Sequence, residues 1–394
     1  MPADTSHEPR ITANHRESKQ RSAEIRGDSR RLPPPLMTSE PGSFARKTIV
    51  ERKGQIIDRV IADNGYPPDI VSALEAFREE IARPGGGSSE MRPLQETGGD
   101  AAFWQAHLTS FAGRTWLEVP WYFAEAYFYR RLLEAVRYFQ SGLWAGHDPF
   151  GTQKRVQEEA AVTQLAEIWP TLLETPLDAR FTSLLHASLW GNRADLSNFT
   201  VRERAIGDTV ADRPNILIDD TEAVRAQLAD GVDQVAFIND NVGADALFDL
   251  VLADHLLVTG KARRVVFYLK NQPFFVSDAM PQDIMEILAR LGAAVKSPLA
   301  ALGERLGRAM VAGHLVLTTD RFWTRCLPFR AMPPTLMAQL ASADLVILKG
   351  DVNYRRLLDD RHWPPTTPLR VAAGDFPRPF LVLRTLKGEI IVGL

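Results

Sequence analysis

Asp240 and Asn241 follow a short apolar run, Val235–Ile238, and stand just before Gly243. A second apolar run, 264–269, leads into Lys270, Asn271, Ser277 and Asp278. A hard divalent cation takes oxygen ligands, and Asp240, Asn241 and Asp278 supply them. A third run, 344–348, ends in Lys349-Gly350-Asp351-Val352-Asn353, and a fourth, 380–384, passes through Arg384 to Thr385 and Lys387. A phosphate group suits Lys349, Arg384 or Lys387 together with backbone N–H groups near Gly350. A metal beside phosphate-binding cations is the equipment of metal-assisted phosphoryl chemistry. Any one of these loops, taken alone, also fits an ordinary solvated strand end. Asp351 or Asp245 would assist proton transfer, and the spacing does not choose between them. Arg384 and Lys387 either bind phosphate or brace the loop that carries Lys349.

These residues need a scaffold that brings several strand ends to one edge. From residue 214 onward, runs rich in Val, Ile and Leu alternate with helical patterns. The runs are 215–218, 235–238, 264–269, 314–318, 344–348, 380–384 and 389–393; helices are expected over 243–258, 282–292, 299–311, 334–341 and 353–360. Such alternation indicates βαβ units, a mainly parallel sheet and an α/β fold. Ligands of such sheets lie at the carboxyl ends of the strands. Lys387-Gly388 between the last two runs predicts a hairpin closing the sheet edge.

The first half is mainly helical in pattern, over 48–62, 70–82, 118–139 and 155–176. Residues 1–42 read as a disordered leader, 43–205 as a helical N-terminal region and 206–394 as the metal- and phosphate-binding α/β domain. In 118–139 an apolar face formed by Trp121, Phe128, Leu132, Ala135 and Phe139 also carries Glu125. A carboxylate there needs a partner, such as Arg130, or lies at the rim of a pocket. The apolar stretch before Gly191-Asn192 ends in a turn; Asn192 and Asp195 point at a ligand or form an Asx-turn and helix cap.

Composition narrows the function classes. The chain has 394 residues, 45% hydrophobic and 24% charged, ordinary values for one large or two medium globular domains. A net charge of −3 gives no overall attraction to nucleic acid or anionic membrane. The single cysteine, Cys326, excludes an internal disulfide and a multi-cysteine metal site. No apolar run approaches the ~18 residues of a membrane span, and the amino terminus lacks a signal-peptide core. A cytoplasmic location is expected. The phosphate-loop, dinucleotide, H-E-x-x-H and G-x-S-x-G motifs are missing from the sequence.

Five separated segments resemble the damage-control phosphatases: WYFAEAYFYRRL (121–132), SLWGNRADLS (188–197), DNVGADALFDLVLADHLL (240–257), LKGDVNYRRLLDD (348–360) and RTLKGEIIVGL (384–394). Arg384-Thr385-Leu386-Lys387 is similar to the RTxK signature of that family's third, acidic-residue-methyltransferase-like subfamily. The resemblance spans 43–394. It implies a three-layer Rossmann-like domain with a helical N-terminal region. It implies hydrolysis of sugar phosphates of the fructose 1-phosphate and fructose 6-phosphate type, with Mn²⁺, Co²⁺, Ni²⁺ or Mg²⁺ as cofactor. By motif, Asp240, Asn241 and Asp278 are similar to the metal ligands and Lys349, Gly350, Asp351, Val352 and Asn353 to the substrate-binding segment. Glu125 and Asn192 would meet sugar hydroxyls from the helical side. Family members often carry Glu where this chain has Asp245, which sets that carboxylate about one methylene further back. Two alternatives remain: a protein carboxyl methyltransferase using S-adenosylmethionine, and a non-catalytic sugar-phosphate sensor. The glycine-poor turn 239–243 disfavours the first, and the intact Asp240, Asn241 and Asp278 disfavour the second.

Overall fold

The computed structural model describes residues 32–82, 87–191, 216–293 and 299–394. Asn192 and Asp195 lie outside the described residues. Short helix α1 (Phe44–Lys47) runs through a π-helical turn, Thr48–Arg52, into α2 (Lys53–Asn64). Gly65 ends α2 in the left-handed conformation, and Pro68 opens α3 (Pro68–Ile81) at its first turn. Then come α4 (Ala101–Thr109), α5 (Trp121–Ala135), α6 (Gly151–Glu174) and α7 (Leu177–Trp190). After α8 (Thr221–Gln227) the chain alternates. The elements are β1 (Val232–Ile238), α9 (Ala244–Val258), β2 (Ala262–Leu269), α10 (Pro281–Ala293), α11 (Ala300–Val311) and β3 (Leu315–Thr319). They continue with α12 (Pro334–Leu340), β4 (Leu345–Lys349), α13 (Gly350–Leu357), α14 (Leu369–Ala372) and β5 (Phe380–Leu383).

The strands form one parallel sheet in the order β3-β2-β1-β4-β5. This is the α/β class expected from the alternation. Successive residues of a strand point to opposite faces. Val235 and Phe237 join one core with α6, α7 and α9 to α11, while Ala236 and Ile238 join another with Trp121, Tyr122, Trp323 and Tyr354. A third core fills the N-terminal helices around Trp104, Trp116, Tyr127 and Phe128.

Three features differ from the expectations. The stretch 389–393 is not a strand, so no hairpin closes the edge, and 216–218 is not a strand either. Ile390 and Val392 are buried, as their apolar pattern requires, but the tail bonds elsewhere: Val392 N–H donates to Tyr354 Oη at 3.0 Å and Gly393 N–H to Thr367 O at 2.9 Å. Second, order reaches into the supposed leader. Leu36 is fully buried and its N–H and C=O bond Asp360 and Trp121, which ties residues 32–42 across the α/β layer. Third, the core crosses residue 205. Leu165 and Trp169 of α6 and Leu184 and Leu185 of α7 pack with the sheet in one cluster. Helix α7 itself falls where an apolar stretch and turn were expected.

Candidate active site

In the sheet, Ile238 of β1 lies opposite Leu348 of β4. The chain leaves β1 toward β2 on one side, while β4 sits on the other side. The crevice at this switch point is where such sheets take ligands. Asp240 follows β1 into the crevice and Gly350 follows β4. Gly350 has φ +76°, and an added Cβ would overlap the Asp240 carboxylate and come 2.9 Å from Asp240 Cβ. Only glycine admits both the backbone and the close carboxylate. Helix α13 opens at Gly350, so its N-terminus lies beside Asp240.

The loop after β2 is zipped to the loop after β1. Ala279 N–H donates to Asp240 O and Val242 N–H to Ser277 O, both at 2.8 Å, and Asn241 pairs with Asp278 in an antiparallel bridge. This brings Asp240, Asn241 and Asp278 together from positions far apart in sequence. Asp240 and Asp278 are 4% and 1% exposed, yet both line a cavity of about 740 Å³ between the sheet edge and α2, α5 and α6. Asn241 donates from Nδ2 to Asp240 Oδ2 at 2.6 Å and accepts from Ser277 Oγ at 2.6 Å. Lys270 Nζ lies 3.1 Å from Asp278 Oδ2 and donates to Asn239 O at 3.1 Å. Burial, then the Asp278 and Asp245 charges, push the Asp240 carboxyl well above its ordinary value, against Lys270 and Lys387. Burial raises Asp278 as well, against the pull of Lys270.

Such a set fits a hard divalent cation. It offers two carboxylates and an amide, and Asp278 Oδ1 has no hydrogen-bond partner among the described residues. No group of three His, Cys, Asp or Glu side chains gathers as a metal cage among the described residues. Two carboxylates leave positions for water and a substrate phosphate, the mode Mg²⁺-like ions favour. Asn241 would present its oxygen after a half-turn of the amide, with Ser277 Oγ then accepting from nitrogen.

The structure sorts the remaining candidates. Asp351 and Val352 line the cavity. Arg355 Nε donates to Asp351 Oδ2 at 2.6 Å, and Arg384 Nη2 lies 3.0 Å from Asp351 Oδ1. Arg384 also donates to Ile390 O at 2.9 Å and stacks over Tyr354 at 4.0 Å. These contacts fit the bracing role. Lys387 is exposed at the cavity mouth.

Lys349, expected as a phosphate ligand, makes its contacts inside the fold. It is 1% exposed, and its Nζ meets Asp245 Oδ1 at 2.8 Å, Asp249 Oδ1 at 2.7 Å, Ser188 Oγ at 2.6 Å and Ser188 O at 2.5 Å. An ammonium has three protons, and these oxygens use them all. Burial would lower its pKa, but Asp245 and Asp249 hold it above its ordinary value. Asp245 is likewise spent, on Lys349 and, through Oδ2, on Asn241 N–H at 3.4 Å. Asn353 is fully buried and donates to Lys349 O at 2.8 Å and Ile238 O at 3.1 Å, joining β4 to β1 rather than reaching the cavity. Glu125 does line the cavity, but its partner is Lys53 and not Arg130, which pairs with Glu96 and Asp100.

Sequence reasoning passed over Asp249, Ser188, Lys53, Tyr129 and Arg355. One signal was available for Asp249. Asp245 and Asp249 are four residues apart on α9, so they share the helix face that meets the end of β4.

Residues 48–394 match the model of the damage-control phosphatase ARMT1-like domain. Proteins named damage-control phosphatase ARMT1 are similar over nearly the whole chain. The mouse protein is 31% identical over 408 residues, covering 91% of this chain and 92% of its own. The human protein is 31% identical over 414 residues and the bovine one 32% over 413, each covering 92% of both chains. A crystal structure of a DUF89 family protein from Pyrococcus horikoshii superimposes with TM-score 0.48 at 16% identity, over 86% of this chain and 89% of that one.

Proposed function

The chain belongs to the ARMT1-like damage-control phosphatase family and is a phosphatase, and we propose that it hydrolyses sugar phosphate monoesters with a divalent metal at Asp240, Asn241 and Asp278. The observation that supports this reading most is the pair of buried carboxylates, Asp240 and Asp278, zipped together on the floor of a small-molecule-sized cavity. A divalent cation there would supply charge neutralisation and a more acidic bound water.

The chain's own groups supply the rest. Lys387 at the mouth and the first-turn N–H groups of α13 face a phosphoryl group seated against Asp240, an electrostatic cradle set in advance. Asp351, gripped by Arg355 and Arg384, is fixed at the cavity wall as the acceptor that orients an attacking water. Both Asp351 and Asp245 are ion-paired, but Asp351 lines the cavity and Asp245 does not, which favours Asp351. Substrates of the fructose 1-phosphate and fructose 6-phosphate type follow from the family resemblance and suit the cavity's volume.

The test is release of inorganic phosphate from a panel of sugar phosphates with Mn²⁺, Co²⁺, Ni²⁺ or Mg²⁺. Turnover that a chelator abolishes is expected. Absence of release with every metal and every ester would overturn the reading.

A further inference from the structure

The cavity wall opposite Asp240 is built by α2, α5 and α6 and carries polar groups that the phosphoryl chemistry does not use. Glu125 is 3% exposed on α5 and is held through Oε2 by Lys53 of α2. Lys53 lies 4.5 Å over the Phe128 ring and 4.8 Å over the Tyr129 ring. This fixes the ion pair on an aromatic bed. Glu125 Oε1 has no hydrogen-bond donor among the described residues, and neither does the Tyr129 hydroxyl. Both residues line the cavity. Tyr129 stacks on Phe275 at 5.1 Å, and Phe275 belongs to the loop that carries Asp278. The acidic floor and the polar wall are therefore parts of one chamber, and Gln153 and Gln157 of α6 extend that wall.

A buried carboxylate with an open oxygen favours a ligand that donates hydrogen bonds, and a neighbouring phenol can both donate and accept. Hydroxyl groups on adjacent carbons match that pattern. An alkyl or aryl group would desolvate these atoms without pairing them.

Resting on the phosphatase reading, we propose that Glu125 and Tyr129 are specificity-determining residues that bind the hydroxyl groups of a phosphorylated polyol and select it over phosphate esters without hydroxyls. Lys53 is the positioning residue that holds Glu125 in place.

The experiment compares Glu125→Gln and Tyr129→Phe with the unaltered protein, in the presence of Mn²⁺. Fructose 6-phosphate and p-nitrophenyl phosphate serve as substrates, with calorimetric binding of fructose 6-phosphate and inorganic phosphate alongside. The expected result for Glu125→Gln is a fall in kcat/KM of ~10–100-fold for fructose 6-phosphate, carried by KM, with p-nitrophenyl phosphate changed less than about threefold. Tyr129→Phe loses one neutral hydrogen bond and is expected to fall ~3–10-fold in the same direction. A parallel fall on both esters, or an unchanged ratio between them, overturns the proposal. If the unaltered protein turns over neither ester, the phosphatase reading fails and the calorimetry decides the wall separately. Tighter binding of fructose 6-phosphate than of inorganic phosphate, erased by either variant, supports it; a preference that survives both variants or is absent from the start overturns it.

Discussion

Two clusters of aspartate and lysine sit at the same edge of the sheet, and their electrostatics are resolved in opposite ways. In the first, Lys349 lies among Asp245, Asp249 and Ser188, with every ammonium proton directed at an oxygen. In the second, Asp240 and Asp278 face the cavity, and the buried cation nearest them, Lys270, reaches one oxygen of Asp278 and a carbonyl. The first cluster is closed and holds α7, α9 and β4 together. The second retains acceptor capacity directed at the cavity. Burial and residue type are nearly the same in both, so neither marks a site. What marks it is charge that the fold leaves for a ligand to complete.

Several substitutions would break or sharpen this contrast. Asp240→Ala should remove turnover by at least ~10²–10³-fold in a metal-supplemented phosphate-release assay while circular dichroism stays unchanged. Full activity in this variant would end the assignment of the open cluster. Lys349→Met should do the reverse, destabilising the fold by ~3–5 kcal/mol in denaturant unfolding because two buried carboxylates lose their cation. An unchanged midpoint would show that Lys349 does not hold the closed cluster together.

Glu158 provides a third case, buried but neither closed nor facing the cavity. It is 1% exposed on α6, and neither carboxylate oxygen has a hydrogen-bond partner among the described residues. Burial, then Asp283 and Glu286, push its pKa up to about 8, against Arg290 and Lys154. Its folded value lies above its ordinary value of 4.5, so its contribution to stability is complete below pH 4.5 and is lost as pH rises through 8. Glu158→Gln cannot ionise. Its unfolding free energy in denaturant should gain on that of the unaltered protein between pH 5 and about 8, by ~1–3 kcal/mol after discounting for solvent screening. A gap that does not widen with pH would count against it.

The sequence made some of this legible and hid the rest for identifiable reasons. Runs 235–238 and 264–269 are strands because a parallel sheet covered on both faces needs continuous apolar segments. Their polar ends, Asp240 and Asp278, could therefore be placed at one edge. Run 389–393 has the same texture but answers to a different constraint: its side chains fill a groove while its N–H groups bond Tyr354 and Thr367. Lys349 misled for a related reason. A lysine ending a strand looks the same whether it awaits phosphate or is already paired, and the pairing depends on α7, whose Ser188 is 161 residues away. Glu125 announced its need for a partner but not which one, since Lys53 reaches it from another helix.

The two main-chain hydrogen bonds that zip Asp240 and Val242 to Ala279 and Ser277 also make the site an indicator of local opening. The same N–H groups that align the carboxylates should exchange slowly with solvent only while the β1-α9-β2 unit stays closed. A ligand that bridges Asp240 and Asp278 would hold that unit shut. Hydrogen exchange at the Val242 and Ala279 amides would then slow in proportion to occupancy, reporting binding without any turnover.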